Sequence, residues 1–127
     1  MLEVNSSKPI YVQIAEWIEK EIIDGALIAD EKVYSQYQLA ELFNINPATA
    51  GKGLTLLLEE EIVYQRRGLG TFVSADGREK LLIRRKAETL RELIKNLLKE
   101  AELLDVDDHD LLAMIEAERA RKEEERK

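Results

Sequence analysis

Over the first sixty positions, apolar residues recur at helical spacing in three short bursts. Ile10, Ile14, Trp17 or Ile18, and Ile22 step by three and four, with Pro9 at a first-turn position and Asp24-Gly25 as a stop. A short connection follows, carrying apolar Leu27 and Val33. Ser35 and Gln38 then have the spacing of a capping box, in which two side chains satisfy two orphan backbone amides ahead of Leu39, Ala40, Leu42 and Phe43. Asn44 tolerates the left-handed conformation that closes a short helix, and Ile45 fills the turn. Asn46 as N-cap and Pro47 as first helical residue open a third helix with the apolar stripe Ala50, Leu54, Leu57 and Leu58. Two helices joined so tightly predict a helix-turn-helix.

The period then changes from helix to strand. Ile62-Val63-Tyr64-Gln65 and Thr71-Phe72-Val73 flank Arg66-Arg67-Gly68-Leu69-Gly70, which predicts a two-stranded hairpin with a glycine-bearing tip. Ser74 to Gly77 is a polar connector, and the domain boundary is placed there, dividing the chain into residues 1–75 and 76–127. Beyond it Ile83, Ala87, Leu90, Ile94, Leu97, Ala101 and Leu104 alternate steps of four and three, a period of about 3.5 residues that calls for a partner helix. Asp105-Val106-Asp107 breaks the run, and Leu111, Leu112, Met114 and Ile115 mark a second helix that ends in a charged tail. The fold class expected is mainly α with a small β-hairpin: a winged helix-turn-helix followed by a C-terminal helical hairpin. The heptad positions, with Leu111, Leu112 and Ile115, are the expected pairing surface between two copies.

Several pieces carry a family resemblance when taken together. They are Pro9-Ile10-Tyr11 with Gln13-Ile14, Ile23-Asp24-Gly25, Gln38-Leu39-Ala40, Asn46-Pro47-Ala48-Thr49, and Arg66-Arg67-Gly68-Leu69-Gly70-Thr71-Phe72-Val73. In this order and spacing the chain resembles the GntR family of bacterial regulators, and its short C-terminal appendage is similar to the YtrA-type branch. The resemblance implies a cytoplasmic, sequence-specific regulator, a repressor, that binds a roughly palindromic operator on double-stranded DNA as a homodimer. It implies that the third helix enters the major groove and the hairpin the adjacent minor groove. The residues expected at the DNA are Ser35, Gln36, Tyr37, Asn46, Pro47, Ala48, Thr49, Lys52, Arg66, Arg67, Gly68 and Gly70.

Physical reasons stand beside the resemblance. A helix start offers free amides to a phosphate, with Asn46 and Thr49 as short polar neighbours. Lys52 falls on a similar face to Thr49, where a phosphate or a guanine edge is in reach. A glycine tip lets the backbone approach the sugar-phosphate wall, and Arg66 or Arg67 suits a narrow, negative minor groove. The chain also departs from the family. The usual Pro-Ser-x-Arg before the second helix stands here as Tyr34-Ser35-Gln36-Tyr37, and Asn46-Pro47 and Gly51 replace the common Ser-Arg and following arginine. Each arginine–guanine pair lost removes roughly 1–3 kcal/mol of discrimination.

Charge sharpens the question of how DNA is met. The chain carries 19 basic and 26 acidic residues, for a net charge of −7. Residues 1–75 hold six Lys/Arg against eleven Asp/Glu, and residues 76–127 thirteen against fifteen, so neither part is basic. Residues 78–99 hold eight basic against three acidic side chains, which predicts a lopsided field and salt-sensitive binding. At 127 residues there is room for one compact domain and an appendage. The absence of cysteine excludes disulfides and thiolate sites and fits a reducing cytosol. No apolar run approaches the roughly 20 residues that span a bilayer, and the start lacks a signal pattern, so a soluble chain without membrane contact is expected.

Each signal has a plainer reading. Ser35 caps a helix whether or not it also meets a phosphate, Tyr37 is either packed or DNA-facing, Lys52 is a contact or ordinary solvated charge, and Trp17 belongs to the core. Asp105, Asp107, Asp108, His109 and Asp110 invite a calcium-loop reading, which fails because Asp110 occupies the position that requires glycine. Asp107 or Asp108 capping the last helix accounts for the cluster. With one histidine, no cysteine, no glycine-rich phosphate loop and no nucleophile–base pair, no metal, cofactor or enzymatic activity is expected. The alternative function is a protein-interaction module on a winged-helix scaffold with weakened DNA binding. A small-molecule effector, if used, would sit in a small pocket or at the dimer interface, because residues 76–127 cannot form a separate ligand domain.

Overall fold

The computed structural model describes residues 2–126. It contains α1 (Ile10–Ile23), α2 (Gln36–Phe43), α3 (Pro47–Glu59), β1 (Val63–Arg66), β2 (Gly70–Val73) and α4 (Gly77–Arg85). A π turn (Lys86–Leu90), α5 (Arg91–Leu103) and α6 (Asp108–Arg126) complete it. The chain divides into two compact units, one up to Arg85 and one from Lys86 onward.

The first unit is the expected winged helix-turn-helix. α1 buries Ile14, Ala15, Ile18 and Ile22 against α3. Of the two candidates at the middle of that stripe Ile18 is fully buried, while half-buried Trp17 meets Tyr34 and Phe43 with ring centroids 5.3 and 5.0 Å away. The caps form as the sequence predicts. Gln38 N donates to Ser35 Oγ at 3.1 Å and Ser35 N to Gln38 Oε1 at 2.8 Å, while Asn44 sits at φ 54° and ends α2. Asn46 Oδ1 accepts from Ala48 N at 2.8 Å and Pro47 is the first residue of α3. Leu39, Ala50, Leu54, Leu57, Ile62, Val63 and Val73 close the core.

The hairpin pairs Val63 with Val73 and Arg66 with Gly70, so Arg67, Gly68 and Leu69 form the tip. The connection between α1 and α2 adds an edge to this ribbon that the sequence pattern did not predict. Lys32 pairs with Phe72, Val33 N donates to Thr71 O at 2.8 Å and Val73 N donates to Glu31 O at 2.9 Å. Five residues, Asp30 to Tyr34, with one buried apolar side chain are too short to show alternation.

The first unit also runs ten residues past the expected boundary. Leu81 of α4 is fully buried in its core, and a Cβ on Gly77 would stand 2.6 Å from the Ile62 carbonyl oxygen. Arg84 bridges Glu19 on α1 and Glu60 at the end of α3, and Arg78 Nε donates to Ile23 O at 3.1 Å. Glu19 is 5% exposed, so its charge is tolerable only because this guanidinium meets it.

In the second unit the uninterrupted heptad seam is corrected. The π turn at Lys86–Leu90 inserts a wider turn between Ile83 and Ile94, so the 3.5-residue phase is not kept through it, and Ile83 belongs to the first unit. α5 ends in a left-handed Asp105 at φ 57°, with Val106 N donating to Ala101 O at 2.8 Å. Ala101 and Leu111 are buried within the unit and Ile115 is half-buried, whereas Leu90, Leu93, Ile94, Leu97, Leu98, Leu104 and Leu112 are exposed. Ala87 is also exposed. Asp107 Oδ1 accepts from Asp110 N at 2.8 Å, which settles which acid caps α6. No helix among the described residues is long and apolar enough to cross a membrane.

Candidate nucleic-acid interface

α3 has two faces. Ala50, Gly53, Leu54 and Leu57 point into the core, and a Cβ on Gly53 would come within 2.8 Å of Tyr11 O. That close approach seats α3 on α1 and turns the other strip, Ala48, Gly51, Lys52 and Thr55, outward. Thr55 Oγ1 donates to Gly51 O at 3.0 Å, holding its methyl group at the surface, and Lys52 Nζ lies 5.2 Å from the centre of the Tyr11 ring.

Beside this strip stands the start of α2. The capping box fixes Ser35, and Gln36 lies across α3 so that its Oε1 is 3.0 Å from where a Cβ on Gly51 would be. Tyr37 is 69% exposed, which decides against the packed reading. Between α2, α3 and the ribbon runs a groove of about 310 Å³ whose walls include Lys32, Gln36, Tyr37, Gly51, Thr55 and Gln65. Lys32, Thr55 and Gln65 were not among the residues expected from sequence. Thr55 was recoverable from helical spacing, seven residues after Ala48; Lys32 and Gln65 arrive through sheet pairing.

Free amides at the start of α3 are not present. Pro47 has none, Ala48 N is taken by Asn46 Oδ1, and Thr49 N and Ala50 N both donate to Asn46 O. What remains for an anion is the helix dipole, together with exposed Ala48 and half-buried Thr49.

The two hairpin arginines differ. Arg66 lies over the rings of Tyr64 and Phe72, 5.5 and 4.9 Å from their centres, and its Nη2 donates to Tyr64 Oη at 3.1 Å. Tyr64 Oη in turn donates to Asp30 Oδ1 at 2.7 Å, and this bond, with a smaller contribution from desolvation, raises the phenol's pKa. Arg67 is exposed at the tip beside Gly68, whose φ of 77° suits glycine. Gly70, at φ 125°, also admits the Lys32 side chain, which a Cβ there would meet at 2.8 Å. Asp107, His109 and Asp110 are the group of possible metal ligands among the described residues; all three are exposed, and the first is occupied as the α6 cap.

No family model matches the chain. Known proteins do. The chain is 30% identical over 100 residues to the HTH-type transcriptional repressor YtrA of Bacillus subtilis, covering 79% of this chain and 76% of YtrA. A GntR family transcriptional regulator from Listeria monocytogenes shares its structure with a TM-score of 0.73 at 29% identity, over 89% of this chain and 97% of that one.

The chain belongs to the GntR family. Within that family its short second unit sets it with the YtrA-like regulators, which are transcription regulators rather than enzymes. The HTH-type transcriptional repressor NagR of Bacillus subtilis is longer: it is 38% identical over 74 residues, and the match covers 58% of this chain and 30% of NagR. The AraR DNA-binding domain, solved in complex with an operator, is 27% identical, with a TM-score of 0.54 over 58% of this chain and 93% of that one.

Proposed function

We propose that this GntR-family chain is a sequence-specific DNA-binding repressor that works as a homodimer in the bacterial cytoplasm, presenting two copies of α3 to a roughly palindromic operator. The observation that carries the reading is the outward strip of α3, flanked on one side by the exposed start of α2 and on the other by the Arg67 tip of the hairpin. A convex helix face of small side chains fits a major groove, and a glycine-bearing arginine tip fits the minor groove beside it. The operator complex of AraR supports the same use of this unit. The DNA-binding part is residues 1–75 with α4 completing its core, and the remainder pairs two copies through exposed Leu90, Ile94, Leu97, Leu104 and Leu112. Symmetry of the pair then dictates symmetry of the site.

The test uses the full chain in rounds of selection from a randomised duplex pool, with sedimentation to fix the oligomeric state. An enriched inverted repeat bound by a dimer is expected. Replacing Lys52 and Arg67 together by alanine is expected to weaken binding and flatten the log–log salt slope by up to about 3.6, two cations from each of two copies at about 0.9 per contact. A paired chain that enriches no duplex would instead be the protein-interaction module, and an unpaired chain would remove the role given to α5.

A further inference from the structure

We propose that the half-site of this chain is rich in A·T pairs, with the Gln36 amide making the base contact on adenine. The inference rests on the DNA-binding reading above and concerns which bases that surface selects.

α2 and α3 contain no arginine and one lysine, Lys52, whose ammonium already lies over the Tyr11 ring. Guanine shows two acceptors, N7 and O6, to the major groove and is read best by a side chain that only donates. Adenine shows an acceptor beside a donor. A primary amide offers the complementary donor and acceptor on neighbouring atoms. Gln36 is the amide that the fold carries over the outward strip, and it can lie there because Gly51 has no side chain to displace it. Ala48 and Gly51 add almost no bulk, so the axis of α3 can approach the base edges closely enough for that amide to reach. The Thr55 hydroxyl is engaged with Gly51 O, so what Thr55 and Ala48 present is methyl groups, the partners of the thymine methyl. The hairpin agrees with this chemistry. Arg66, though exposed, lies along the Tyr64 and Phe72 rings, whereas Arg67 stands at the tip itself, and narrow A·T-rich minor grooves are the ones that attract an inserted arginine.

The experiment is the sequence content of duplexes enriched by the full chain, followed by one atom-level substitution. Half-sites dominated by A·T pairs with a fixed adenine are expected. Exchanging that adenine for 7-deaza-adenine, which lacks N7 but keeps the N6 donor, should weaken wild-type binding roughly 2- to 13-fold, the range of one hydrogen bond. The same exchange should have little effect on Gln36→Ala, which keeps the Ser35–Gln38 capping box and so its fold. Gly51→Ala, by displacing the amide, should reproduce part of the loss. Enriched half-sites built on a fixed guanine, or an equal deaza effect in wild type and Gln36→Ala, would overturn the proposal while leaving DNA binding intact. Enrichment of no duplex at all would bring down the DNA-binding reading and this inference together.

Discussion

Two glycines two residues apart in α3 have opposite reasons to be there. At Gly51 the nearest atom to an added Cβ is the movable end of Gln36, whereas at Gly53 it is the backbone oxygen of Tyr11, with Ile14 Cγ2 at 3.0 Å. Gly51→Ala is therefore expected to raise stability by up to about 1 kcal/mol through helix propensity. Gly53→Ala is expected to lower it by about 1–3 kcal/mol, because α1 and α3 must separate. Urea melts of the two variants check both signs, and a destabilising Gly51→Ala would show that the Gln36 side chain is fixed rather than mobile. The phenols supply a second residue-scale prediction. Tyr64, through its bond to Asp30, and Tyr34, through burial and then Glu21, both hold their protons more tightly than a phenol in the unfolded chain. A raised pKa in the folded state means that the stabilisation is complete below about pH 10 and is lost as pH rises through the folded values. Thermal melts from pH 8 to 11.5 should fall at the alkaline end, and Tyr64→Phe should reduce that fall; an unchanged slope would contradict the Tyr64–Asp30 bond.

At the scale of elements, α4 is the piece whose role only the structure reveals. Arg84→Met would leave Glu19 buried without a cation, and a loss of roughly 3 kcal/mol is expected, with partial recovery in the Glu19→Met/Arg84→Met double variant. Full additivity in that cycle would argue against the bridge. The contrast with the first three helices shows what a sequence displays. Ser35 with Gln38, Asn44, and Asn46 with Pro47 announce their helix ends because caps act within four residues, and the hairpin tip is announced by its glycines for the same reason. Lys32 against Phe72, Glu19 against Arg84 and Leu81 in the core join residues 40 to 65 positions apart, and nothing in the local pattern marks them. The π turn was hidden differently: the apolar spacing through it suits an α-helical heptad, and the backbone departs from that period. In the surface proposed to face DNA, the exposed positions of α2 and α3 follow from helical spacing, although Thr55 was not singled out. The division of labour between Arg66 and Arg67 was not legible, since it depends on which side of the ribbon carries Tyr64 and Phe72.

For the whole molecule, the position of α4 changes where the chain can be cut. A fragment ending at Ser74 loses Leu81 and Arg84 and exposes the groups they cover, whereas one ending at Arg85 keeps the first unit complete. The longer fragment is expected to fold cooperatively as a monomer by sedimentation and to bind DNA weakly; the shorter one should melt at a lower temperature. Equal melting of both would mean that α4 contributes nothing to the first unit.

The uncovered leucines of α5 make abundance a variable of state. A helix that leaves Leu93, Ile94, Leu97 and Leu98 in water gains stability when another surface removes them from it, so in the proposed pair melting temperature should climb with the amount of chain dissolved. If two copies pair on an operator as proposed, its occupancy depends on the square of the free monomer level. On that reading a modest change in synthesis or dilution at cell division becomes a sharper change in operator occupancy.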